Sequence, residues 1–309
     1  MRPCRLASTA LLLPLLVVLA GCSPPADAPR SGPLKLVATT NIVADTARRI
    51  AGEHASVEAL MGPGVDPHLF KASESDVRRL AEADLILYNG LHLEGKMGDI
   101  LVKMARSRPV VALGDGIPEE ALREPPELAG QYDPHVWFDV SLWARTLPVI
   151  AEELARLDPQ HAAEYRANAE AYGAELAALD AWIGEQVRTL APERRVLVTA
   201  HDAFGYFGER YGMEVVGLQG ISTLAEAGLQ DVERVVDLVV ERGVPAMFVE
   251  SSVPRRSIEA VQAAVRDRGG EVTIGGELHS DSLGAAGTPA GTYPGMVRAN
   301  VETIVEALR

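Results

Sequence analysis

The side chains able to do chemistry are few and spread over the whole chain. There are seven histidines, and they are not equivalent. His68 and His135 each close the same tripeptide, Asp66-Pro67-His68 and Asp133-Pro134-His135. Proline fixes the backbone in both, so the ring that follows can be held in one direction, as metal ligation requires. His201 lies in Val198-Thr199-Ala200-His201-Asp202, after an apolar run and before a helical stretch, where open α/β sheets place binding residues. Asp281, in Leu278-His279-Ser280-Asp281-Ser282, opens a glycine-rich loop after another apolar run, and the adjacent His279 competes for its role. His54 and His161 sit in polar helical stretches without ligand-type neighbours and read as solvated surface residues. Any one of these groups alone would be an ordinary loop histidine or a capping aspartate. Two groups from each half of the chain, converging, make three imidazoles and one carboxylate. Such a set suits a divalent transition metal and not calcium or magnesium. Asp66, Asp133, Asp202 and Glu250 are candidate acceptors for the imidazole N–H groups that would face away from the ion.

Positioning these groups requires an α/β framework. Short apolar runs at 36–39, 57–60, 85–88 and 110–113 read as buried strands with helical stretches between them. The same alternation returns at 196–199, 214–217, 246–249 and 272–274, with helices over 232–242 and 255–268. The expected architecture is two lobes, each a mostly parallel sheet flanked by helices, joined by one long rigid α-helix. Residues 34–157 form the N-terminal metal-binding lobe, 158–190 the linker helix and 191–309 the C-terminal metal-binding lobe. In the linker, Tyr165, Ala169, Tyr172, Leu176, Leu179, Ile183, Val187 and Leu190 form one apolar stripe. Asp158 reads as its N-cap, Pro159 as its first residue and Pro192 as the stop. Such a helix would be about 48 Å long, and the alternative is a break near Gly173, where glycine costs about 1 kcal/mol.

Among the 309 residues, 29 basic side chains face 43 acidic ones, giving a net charge of −14. No stretch gathers enough cations to track a phosphate backbone, which excludes nucleic acid as a partner. Residues 1–21 have a basic start at Arg2 and Arg5, then an apolar run too short to span a bilayer, and read as a lipoprotein signal peptide. The sequence Leu19-Ala20-Gly21-Cys22 resembles a bacterial lipobox, which makes Cys22 the lipid-bearing first residue of the mature chain. Cys4 is the one other cysteine, so a disulfide and a thiolate metal site are both excluded after cleavage. Residues 22–33 are proline-rich and read as a flexible tether.

Further motifs occur in order along the mature chain: Thr39-Thr40-Asn41, Asn89-Gly90-Leu91-His92-Leu93-Glu94, Asp133-Pro134-His135-Val136-Trp137, His201-Asp202-Ala203-Phe204-Gly205-Tyr206-Phe207 and Phe248-Val249-Glu250. With these the sequence resembles the metal-binding receptors of zinc/manganese ABC importers, extracytoplasmic solute-binding proteins with two lobes and a rigid connecting helix. The resemblance implies ligation by His68, His135, His201 and Asp281 of one divalent ion, Zn2+ or Mn2+, carried as transported ligand. It implies an ABC permease with its cytoplasmic ATPase as partner, a membrane-anchored lipoprotein in the periplasm or on the outer face of the cell membrane, and a monomer that is not an enzyme. Strongly zinc-specific members look different in carrying a histidine-rich insertion, absent here between Glu94 and Asp133. Members thought to prefer manganese often carry Glu where this chain has His201. Affinity order leans to zinc, and manganese fits if Asp281 binds through both oxygens. A secreted zinc metallohydrolase is the rival from another class, and no His-Glu-x-x-His helix supports it; a surface adhesin has no signal of its own. A continuous linker predicts small local changes on release, with the glycine-rich segment 284–295 as the mobile element.

Overall fold

A computed structural model describes residues 32–128 and 130–309, with Glu127 described by its backbone alone. The signal peptide, Cys22 and all but the last residues of the tether lie outside the described residues. In the N-terminal half, strands β1 (Leu34–Ala38), β2 (Ala55–Ala59), β3 (Leu85–Tyr88) and β4 (Val110–Ala112) alternate with helices α1 (Asn41–Ala51), α2 (Glu74–Glu82) and α3 (Gly98–Met104). The strands pair in the order β2-β1-β3-β4, all parallel. Local chemistry explains the boundaries. Thr40 accepts the Val43 N–H to start α1, and Gly52, at φ +57°, ends it in a conformation open to glycine. Ser73 and Asp76 form a reciprocal capping box at the head of α2.

Two further helices, α4 (Val140–Trp143) and α5 (Leu147–Leu157), lead into α6 (Ala162–Arg188), 27 residues with no break at Gly173. Tyr165, Ala169, Tyr172, Leu176, Leu179, Ile183 and Val187 are buried along it, which is the apolar stripe read from the sequence. The helix is about 40 Å long. It starts at Ala162, three residues after Pro159, which the sequence offered as its first residue, because Asp158 does not cap it. The Asp158 carboxylate accepts the Tyr165 hydroxyl at 2.7 Å and pairs with His161 Nδ1 at 2.5 Å, while residues 159–161 make a tighter turn.

In the C-terminal half, β5 (Val196–His201), β6 (Glu214–Gln219), β7 (Ala246–Glu250) and β8 (Thr273–Leu278) alternate with α7 (Gly205–Tyr211), α8 (Leu229–Arg242), α9 (Arg256–Asp267) and α10 (Tyr293–Leu308). β5 pairs with β6 and β7 with β8, each in parallel, and β5 lies beside β7. One apolar core runs from Leu36 and Ile42 through Trp143, Tyr172 and Leu176 to Tyr293 and Ile304, so α6 and α10 weld the two halves together. Hydrogen bonds at the head of α10 add to this: Asp45 of α1 accepts the Tyr293 N–H at 2.8 Å, and Tyr293 donates its hydroxyl to the Trp137 carbonyl at 2.7 Å. Among the described residues, no helix is long and apolar enough to cross a membrane.

Candidate metal centre

Parallel strands converge on the site with their carboxyl ends, as expected where open α/β sheets bind ligands. His68 follows β2 through the turn at 62–64, His135 follows β4, His201 is the last residue of β5, and Asp281 lies three residues past β8. All four are buried, and one donor atom from each lies within 4.8 Å of every other. His68 Nε2 is 3.3 Å from His135 Nε2, which is 3.4 Å from His201 Nε2. Asp281 Oδ1 is 3.4 Å from His135 Nε2 and 3.5 Å from His201 Nε2. Four donors at tetrahedral corners around an ion 2.0–2.1 Å away would be about 3.4 Å apart, which these four spacings match, while the pairs of His68 with His201 and Asp281 lie within 4.8 Å. Asp281 Oδ1 is buried and accepts no well-formed hydrogen bond, a cost that a cation among these donors would remove.

Each ring is aimed by what lies behind it. Asp133 accepts the His135 backbone N–H at 2.9 Å and pairs with its Nδ1 at 2.8 Å. Glu250 does the same for His201, at 2.8 Å and 2.5 Å. With Nδ1–H donated to a carboxylate, Nε2 is left as the lone-pair donor toward the site. Asp66 differs: it accepts the His68 backbone N–H at 2.8 Å but turns its other oxygen to the Thr223 hydroxyl at 2.6 Å. Asp202 orients no ring, and its Oδ1 is buried without a partner. Asp281 is held through Oδ2 by the Ser252 hydroxyl at 2.9 Å.

These surroundings separate the titration of the rings. Burial alone dominates at His68 and lowers its pKa to about 3, so the ring is neutral and ready to bind. Burial also opposes the charged form of His135, but its bonds to Asp133 and Asp281 outweigh it and raise the pKa to about 8. His201 is raised for the same reasons by Glu250 and Asp281. Asp281, although desolvated, is held ionised by the two histidines.

Of the two neighbours past β8, Asp281 lies in the cluster and His279 does not. His279 stays outside the cluster: Asn300 receives its N–H at 2.9 Å and donates to its carbonyl at 2.8 Å. Asp281 instead sits in a stretch stitched to the other half, where Trp137 donates to the Ser280 carbonyl at 2.9 Å and Leu283 N–H reaches Asn41 at 2.9 Å. Two expectations need correction. The glycine-rich segment is not a free loop. Gly284 N–H bonds to the Ala290 carbonyl, Thr288 to Ala285, and Tyr293 to Asp45. His54 and His161 are not simple solvated residues: their half-buried rings stack with centroids 3.7 Å apart, and His54 pairs with Glu164 at 2.7 Å. Sequence reasoning missed Arg123 and Thr223, which bond Asp133 and Asp66, and Ser252, which bonds Asp281 itself; they come from distant segments and belong to no motif.

Comparison with known proteins agrees with this geometry. The family described as zinc-uptake complex component A, periplasmic (ZnuA), matches residues 36–307. The chain is 48% identical over 276 residues to the manganese-binding lipoprotein MntA of Bacillus subtilis, covering 89% of this chain and 90% of that protein. It is 48% identical over 282 residues to the zinc-binding protein TroA of Treponema pallidum, covering 91% of each. The solved structure of the periplasmic zinc-binding TroA superposes with a TM-score of 0.87, covering 90% of this chain and 99% of that one.

Proposed function

The chain belongs to the ZnuA family of periplasmic metal-uptake components, and from that premise we propose that it captures one divalent transition-metal ion and delivers it to an ABC permease. His68, His135, His201 and Asp281 replace the water shell of the ion. The observation that carries this reading is the buried set of three imidazole nitrogens and one unsatisfied carboxylate oxygen at tetrahedral spacing. Four protein donors close a tetrahedral site and leave no position for a reactive water, which argues against a metallohydrolase. Zn2+ fits the spacing directly, while Mn2+ would need both oxygens of Asp281, and relatives of equal identity are named for each metal.

Capture costs little rearrangement, because Asp133 and Glu250 already aim two rings and His68 is already neutral. Delivery then requires the permease to disturb the lobe contacts around the loops, since α6 and the shared core resist a wide hinge. Lipid on Cys22 and a tether through residue 33 would keep the receptor, acting as a monomer, at the membrane outside the cytoplasm, within reach of a permease driven by its ATPase. The test is a competition titration of metal-stripped protein with zinc and manganese, counting bound metal by elemental analysis. One tightly held ion per chain, with no turnover of ester or phosphoester substrates, is the expected outcome. Failure to hold either ion would remove this function.

A further inference from the structure

Arg123 lies in the loop between β4 and α4, and nothing in its immediate sequence marks it. Its backbone N–H donates to the Tyr206 hydroxyl at 2.9 Å, its Nη1 to Asp133 at 2.5 Å and its Nε to Glu209 at 2.6 Å. The guanidinium also stands over the Tyr206 ring, 5.6 Å from its centroid. Tyr206 in turn donates its hydroxyl to the Asp133 carbonyl at 3.1 Å. Gly205 makes room for this arrangement: a Cβ there would lie 1.6 Å from Arg123 Nη1, an impossible approach. Tyr206 and Glu209 are on α7, the helix that follows His201. One side chain therefore touches both the carboxylate that aims His135 and the helix behind His201.

The electrostatics need this cation. Asp133 is fully buried, and Arg123 is the cation that pairs with it. Arg123 also borders a cavity of about 440 Å³ whose other charged lining residues are Glu120, Glu124, Asp202 and Glu209. Without the guanidinium, the Asp133 carboxylate would face this acidic wall uncompensated, and its grip on the ring would loosen.

Resting on the receptor reading above, we propose that Arg123 is a positioning residue that couples the His135 side of the site to the C-terminal lobe and thereby sets how fast the metal leaves. The fork geometry matters, because the planar guanidinium meets Asp133 through Nη1 and Glu209 through Nε, two donors fixed in one plane, whereas an ammonium offers a single nitrogen on a flexible stem. The test loads the purified protein with zinc and follows release to excess chelator by stopped flow, beside the thermal midpoints of metal-free and loaded forms. Arg123→Gln is expected to speed release about tenfold, the lower end of the effect of altering groups behind a metal ligand. Arg123→Lys should fall between that variant and the parent, and Glu209→Gln, which leaves Asp133 paired, should speed release about threefold on the same scale. The resonance of the proton on His135 Nδ1, followed by NMR in the loaded protein, should move in Arg123→Gln as its bond to Asp133 changes, a shift in the folded state that lowered stability alone would not produce. Release at the parental rate in both Arg123 variants would overturn the proposal, and parental release in Glu209→Gln would remove the coupling to the C-terminal lobe. A parent protein that binds no zinc would instead defeat the receptor reading itself, so the two failures are distinguishable.

Discussion

The tripeptides Asp66-Pro67-His68 and Asp133-Pro134-His135 begin alike and diverge in what the aspartate does beyond its backbone bond: in Asp133 the same Oδ1 also meets the His135 ring while Oδ2 pairs with Arg123. In both, the carboxylate accepts the backbone N–H of its histidine, at 2.8 and 2.9 Å, which sets the turn. Asp133 is fully buried, also holds the His135 ring, and is balanced by Arg123. Asp66 is half-buried and spends its other oxygen on Thr223, a residue of the opposite lobe. One copy of the motif thus orients the ring of a histidine in the cluster, while the other is a latch between lobes beside a histidine held by burial. The consequence shows in the rings, with His135 pushed up to about 8 and His68 pushed down to about 3. Identical local sequence gives the same turn, and the tertiary neighbours, Arg123 for Asp133 and Thr223 for Asp66, take the spare oxygen.

The largest effects should ignore this difference. Structural zinc sites are worth about 10–16 kcal/mol over four ligands, so removing one costs about 3 kcal/mol, or at least about a hundredfold in affinity. His68→Ala and His135→Ala should lose comparable amounts in a chelator-competition titration, and a loss confined to one would show that only one tripeptide supplies a ligand. The carboxylates should separate the two copies. Asp133→Asn is expected to weaken zinc binding about tenfold, while Asp66→Asn should cost less than about threefold, because it orients no ring. Equal losses would erase the distinction.

Acid should act through His135 and His201, both raised by their carboxylate neighbours, and not through His68. Metal binds the deprotonated ring, and a ring with a pKa of about 8 carries a proton below that pH in the metal-free protein. Apparent affinity should therefore fall as pH drops from 8 to 6, by about tenfold per unit for each proton displaced. His68, lowered to about 3, adds nothing over that range. Asp133→Asn should flatten the slope, and an unchanged slope in that variant would place the titrating proton elsewhere. The smallest effect belongs to the latch: Thr223→Val removes the hydroxyl from Asp66 and should cost about 1 kcal/mol of stability, seen as a lower thermal midpoint, with little change in metal affinity.

Much of the framework was legible because its signals are local. The run at 85–88 coincides with β3, since a buried parallel strand reads as a continuous apolar stretch bounded by turn residues. The strand expected at 272–274 instead runs Thr273–Leu278, through a pair of glycines that looked like its end. Those glycines are in the strand because α10 and β7 crowd it: a Cβ on Gly275 would lie 2.6 Å from Ala307 and 2.9 Å from Phe248. No local rule contains that information, because the crowding residues come from other elements.

The four residues brought together in the site were recognisable by type and by their places after strands, because turn chemistry and strand periodicity act over a few neighbouring residues. Alone, the sequence determined the α/β alternation, the continuous stripe of the connecting helix and the doubled Asp-Pro-His turn. Only the tertiary structure brought Asp281 and not His279 into the cluster, gave Asp133 and Asp66 different partners, stacked His54 on His161, and set Arg123 against both Asp133 and Glu209. Each of these depends on a contact between segments far apart in the chain, where burial and a neighbouring charge, and not local propensity, set the energy.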